Sequence, residues 1–159
     1  MRRRFFTGAG LAAGMGAVIV MVVVGGAMAT LAAKTTKVHC TSKTYNVSSP
    51  SFSGTTFAAL KCSKPFGAGV QQGTFAESIA GTQISVTGKF KNFYDNGTNH
   101  GSYKLSGTVA SGTITATGSV KVTGGTGAYK NMKGTGKLKC TTTDAGKTYN
   151  CTTSGTLKS

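Results

Sequence analysis

From Thr82 to Leu157 apolar and polar positions alternate with a period of two, the pattern of strands with one buried face. Ile84, Val86, Gly88 and Phe90 share one phase against Gln83, Ser85, Thr87 and Lys89. Tyr103, Leu105, Gly107 and Val109 alternate with Lys104, Ser106 and Thr108. Ile114, Ala116, Gly118, Val120 and Val122 alternate with Thr and Ser and then Lys121. Gly136, Leu138 and Cys140 oppose Thr135, Lys137 and Lys139, and Tyr149, Cys151, Thr153, Gly155 and Leu157 form a last set. Upstream the pattern is weaker. Residues 36–47 and 55–62 read as strands, and 70–80 as one or two more. Residues 94–101 read as a polar loop turning at Asn96-Gly97.

Each of the five regular strands puts a glycine on its apolar face: Gly88, Gly107, Gly118, Gly136 and Gly155. Glycine within a strand marks a bend or a close approach. One per strand, in phase with the core, suits a strongly coiled sheet that closes into a small barrel. Closure also removes exposed edges. A flatter sandwich is the alternative.

The N-terminus changes the picture. Arg2-Arg3-Arg4 precedes 29 uncharged residues, Phe5 to Ala33, and Ala27-Met28-Ala29 supplies a small-x-small cleavage site. This predicts a signal peptide over residues 1–29 and a single domain over 30–159. Retention as a membrane-anchoring helix is the competing reading, since the uncharged run is long enough to span a bilayer. Arg2-Arg3-Arg4-Phe5-Phe6 also resembles a twin-arginine export signal, with an ordinary three-charge leader as the alternative. Each reading exports the domain, to the exterior or the cell envelope.

After Ala29 there are fifteen lysines, no arginine, and three acids (Glu77, Asp95 and Asp144), a formal net charge of +12. Such a surface favours anionic polymers or lipid head groups. Lys89, Lys91, Lys104, Lys121, Lys137 and Lys139 fall on the polar phase, so the charge coats an outer wall. The same pattern also reads as a solubilising coat. Without the arginine fork or interleaved aromatics, sequence-specific nucleic-acid binding is not expected.

Four cysteines in an exported domain predict two disulfides and no metal site. With a turn centred on Ala145-Gly146, Cys140 falls opposite Cys151, within disulfide reach. That leaves Cys40 for Cys62, although four cysteines allow three connectivities.

The segment Val122-Thr-Gly-Gly-Thr-Gly-Ala-Tyr-Lys-Asn-Met-Lys-Gly-Thr-Gly136 resembles the glycine-rich turn of allene oxide cyclase-like and dirigent-like β-barrels, a likeness also seen in secreted bacterial proteins of unassigned function. It covers about Thr82 to Leu157. The resemblance implies an all-β antiparallel barrel of about eight strands, with a helical turn near Tyr129 to Met132. It also implies small apolar ligands in the barrel mouth. It transfers no catalytic residue.

The candidate acids and bases are few. Asp144 and Asp95 fall in a turn and a loop, and His39 and His100 stand far apart. Glu77 is in phase with Phe75 and Ile79, which would aim it inward. The favoured reading is that Ala76 and Ala80 face inward and Glu77 faces water, because acids are rarely buried unpaired. Tyr103 and Tyr149 are expected inside, more as core than as ligand contacts. Glu77, Tyr103 and Tyr149 are therefore the cavity candidates. The leading expectation is a non-enzymatic module binding a small apolar ligand or an envelope component, without a cofactor. The alternatives are a lysine-coated surface protein and an isomerase or cyclase of the allene oxide cyclase type.

Overall fold

The computed structural model describes residues 34–49 and 52–159. The expected leader, with its cleavage site and anchor alternative, lies outside the described residues.

Eight strands follow one another: β1 (Thr35–Ser49), β2 (Ser53–Cys62), β3 (Ala68–Ala80), β4 (Gln83–Tyr94), β5 (Gly97–Ala110), β6 (Thr113–Gly125), β7 (Lys133–Thr142) and β8 (Thr148–Lys158). Each pairs antiparallel with the next, and β8 closes onto β1. The result is an up-and-down barrel with no free edge. The sandwich alternative is thereby excluded. The only helix among the described residues is a 3₁₀ turn at Gly127–Tyr129, which ends where the expected helical turn of Tyr129 to Met132 was to begin.

Residues 68–80 form one strand rather than two. The polar loop expected over 94–101 shrinks to a tight turn at Asp95-Asn96, with β5 starting at Gly97. The reason is inward pairing of polar side chains: Asn99 is 2% exposed, and Asn92 Nδ2 donates to Asn99 Oδ1 at 2.9 Å.

The five in-phase glycines all sit on the inner face, and Gly136 and Gly155 are direct cross-strand partners. Gly88 shows what the missing side chain allows. The Tyr103 ring lies across it, in the space a Cβ would take, and the Tyr103 hydroxyl donates to the Thr74 carbonyl at 3.4 Å. At the β7–β8 turn, Ala145 (φ 56°) and Gly146 (φ 90°) both have positive φ, as a hairpin turn twisted with its strands requires. That turn sets Cys140 opposite Cys151, and Cys40 opposite Cys62 follows from the β1–β2 register. Both disulfides form as expected.

The barrel's two ends differ. Where β1 begins and β8 ends, Phe66 stacks on Tyr129 with centroids 4.8 Å apart, and Tyr94 meets both rings. Met132 and Leu157 complete this buried cluster. It plugs that end. The glycine-rich segment builds the plug. A bulge between His100 and Gly101 shifts the β5–β6 register, and Thr126 bonds to Thr98 through both backbone and hydroxyl. Tyr129 is thus held inside at 2% exposure. Among the described residues no aromatic ring stack lies at the opposite end, the mouth, while a second buried cluster of Leu105, Ala116, Cys140 and Cys151 packs within the barrel.

All fifteen lysines of the described residues are exposed. On the walls of β4 to β8 most face Ser or Thr across the strand, as in Thr117–Lys139 and Ser119–Lys137. At these positions the register avoids the repulsion of like charges set directly opposite, whereas Lys133 and Lys158 do face each other at the end of β7 and β8.

Candidate functional site

Inside the barrel, between plug and mouth, lies a cavity of about 150 Å³. Its two walls have different chemistry because the strand phases differ. On β4 to β8 the apolar phase faces in, giving Ile84, Val86, Leu105, Ile114, Val120 and Leu138. On β1 to β3 much of that phase is inverted. Ser42, Thr44, Asn46, Thr56, Gln71 and Glu77 line the cavity, while Tyr45, Val47, Phe57 and Val70 point out at 45–60% exposure. Tyr45 and Phe57 are direct partners across β1 and β2. The outer wall is therefore not uniformly a lysine coat. Lys43 lies 5.6 Å from the Tyr45 ring centroid and Lys91 lies 5.1 Å from that of Phe93, distances at which a cation is attracted to a ring face.

Glu77 corrects the favoured expectation. It lines the cavity, whereas Ala76 and Ala80 are exposed. Phe75, buried on the same face, fixes the phase of β3, and the mouth position leaves Glu77 half-buried rather than sealed. Its backbone N–H donates to the Phe52 carbonyl at 2.8 Å, tying it to the β1–β2 turn. Its carboxylate has no hydrogen-bond or ion-pair partner among the described residues, and burial alone raises its pKa.

Tyr103 and Tyr149 also line the cavity, as expected. Burial pushes the Tyr103 hydroxyl up to about 12. Tyr149 is likewise pushed up to about 12, first by burial and then by the negative charges of Glu77 and Asp144. Glu77 on β3 and Tyr149 on β8 therefore sense one another across the mouth. Asp144 serves the β7–β8 turn. Its carboxylate accepts from the Thr142 and Thr148 hydroxyls and from the Thr148 backbone N–H, which hold it well below the usual carboxylate range.

At the plugged end, Asn92 Oδ1 is a buried acceptor without a partner. The polar residues of this inner surface escaped the sequence reading because strands 1 to 3 were placed without a phase. The signal was Tyr45, Phe57 and Val70 alternating with Thr44, Thr56 and Gln71.

The six wall lysines (Lys89, Lys91, Lys104, Lys121, Lys137 and Lys139) stay on the outside, away from the cavity. Among the described residues, no group of three or more His, Cys, Asp or Glu could hold a metal ion. The chain matches no protein-family model, no curated protein and no solved structure. The chemistry of the cavity therefore carries the functional argument.

Proposed function

We propose that this chain is an exported, disulfide-stapled binding module whose barrel holds a small apolar ligand. The observation that carries this reading is the cavity of about 150 Å³ inside the barrel, with a largely apolar wall on β4 to β8. An eight-stranded barrel has room for filled side chains or for one small ligand. An apolar cavity of about this volume in another protein takes up benzene, so the ligand body is about one ring in size. The likeness of the segment 122–136 to allene oxide cyclase-like and dirigent-like barrels favours a ligand in the mouth. Two disulfides suit an oxidising destination and support export.

Native mass spectrometry of the protein recovered from its producing cells tests this reading. The expected result is a bound small molecule released on unfolding, with occupancy insensitive to salt. A bare protein that also fails to take up a one-ring aromatic overturns it.

One observation favours a second reading. Lys34, Lys64 and Lys130 in the turns and terminus, with Lys133 and Lys158 at the ends of β7 and β8, all lie at the plugged end. Such clustering suits an anionic envelope polymer or lipid head groups. Binding of that kind weakens steeply as salt rises, whereas cavity binding does not.

A further inference from the structure

We propose that the cavity is selective for a small organic amine, with the ammonium on Glu77 and the apolar body against Ile84, Leu105 and Ile114. This rests on the cavity reading above and names its ligand class.

Three observations converge. First, among the described residues Glu77 is the only charged side chain lining the cavity. No lysine or histidine answers it, although the barrel carries fifteen lysines. Glu77 is half-buried, and its carboxylate has no hydrogen-bond or ion-pair partner among the described residues. A ligand cation would supply the missing partner through a charge-assisted hydrogen bond. Second, the walls divide the ligand's chemistry. Thr44 and Asn46 belong to the same polar wall as Glu77, so the remaining N–H donors of an ammonium have oxygens on that wall to reach. The facing wall is mainly hydrocarbon around Ile84, Leu105 and Ile114, with Asn92 and Asn99 set towards the plugged end. Third, charge is distributed along the barrel axis. The described turns at the mouth (residues 81–82, 111–112 and 143–147) contain one lysine, Lys147, along with Asp144. The plugged end holds the lysine cluster. A cation approaching this strongly basic protein therefore meets its least positive surface at the mouth. A carboxylate ligand would face Glu77 directly, with no cation inside to receive it.

Matched titrations at pH 7 with benzylamine, benzyl alcohol and benzoate test this, since the three share a ring of fitting size. Benzylamine is expected to bind about ten-fold more tightly than benzyl alcohol, the margin of a charge-assisted bond over a neutral one. Benzoate is expected to bind weakest. In Glu77→Gln the amine's advantage over the alcohol should collapse to about two-fold or less. Equal binding of amine and alcohol to the native protein overturns the amine assignment and leaves the cavity reading standing. An amine preference that survives Glu77→Gln also overturns it, because the selectivity then lies elsewhere. Failure of all three to bind overturns the assignment together with the cavity reading. The ligand series on the native protein decides the matter even if the variant does not fold.

Discussion

Strands β1 to β3 and strands β4 to β8 make one continuous barrel, yet the first three invert part of the pattern: they bury Ala58, Leu60 and Phe75 but also turn polar groups inward and large apolar ones outward. On β4 to β8, hydrophobic residues fill the inside, and lysine, serine and threonine cover most of the outside. On β1 to β3, hydroxyl, amide and carboxylate groups enter the cavity, and Tyr45, Phe57 and Val70 remain outside. A barrel needing only stability would bury apolar side chains all round, since burial is the main favourable term in folding. The first three strands forgo part of that gain and create a polar wall facing an apolar one. Under the proposed ligand-binding role, the inversion serves the cavity rather than stability.

The comparison can be broken most severely on the apolar wall. Leu105 is buried against Ala116 and the disulfide Cys140–Cys151. Leu105→Ala should cost about 2–5 kcal/mol in denaturant unfolding. On the polar wall, Ser42→Ala should cost about 1 kcal/mol or less. Equal losses would mean that the walls are energetically alike.

The staples come next. Replacing Cys140 and Cys151 together with Ala should cost roughly 3 kcal/mol. Replacing Cys40 and Cys62 should cost about 0.5 kcal/mol more, because that bridge closes the longer loop, 22 residues against 11. Thermal unfolding of the two double variants checks the order.

Smaller effects separate the two carboxylates at the mouth, which pH should affect in opposite directions. Burial raises Glu77 above its ordinary 4.5, so its ionised form is penalised in the folded state. Glu77→Gln should therefore raise Tm at pH 7. That gain should fade as pH falls through the raised pKa towards 4.5, where the native residue is itself protonated. Asp144 is held below its ordinary 3.8 by hydrogen bonds to Thr142 and Thr148. Its contribution is present above pH 3.8 and declines as pH falls further. Asp144→Asn should lower Tm at pH 7, with the loss shrinking in acid. A pH series of melting curves on both variants reads the two signs.

The smallest effect is expected on the outer face. Phe57→Thr should shift stability by about 0.5 kcal/mol or less, yet reduce retention on a hydrophobic-interaction column. An unchanged retention would show that Tyr45 and Phe57 form no effective surface patch.

Where strands followed one rule, the sequence was legible. Ile84 to Phe90, Tyr103 to Val109 and Ile114 to Val122 face as their alternation indicates, and the turn at Ala145-Gly146 specified the pairing of Cys140 with Cys151. The upstream strands could be placed but not oriented, because a period-two pattern does not say which phase faces in. Tyr45 and Phe57 name the apolar face, but the closed barrel turns that face outward. Glu77 was misjudged for the same reason. General avoidance of buried acids outweighed a local phase that Phe75 already set. Tyr129 lies in the most distinctive segment, but only the structure brings it against Phe66, 63 residues away, to plug the barrel.

The central claim is a cavity open at the mouth and shut by the aromatic plug. Amide chemical-shift mapping during titration with benzyl alcohol tests it most directly. The expected result is saturable shifts at Ile84, Leu105, Ile114 and Tyr149, with little change at Phe57 and Val70 outside or at Met132 in the plug. Shifts concentrated on the outer face of β1 to β3, or no saturable shifts at all, would contradict the account.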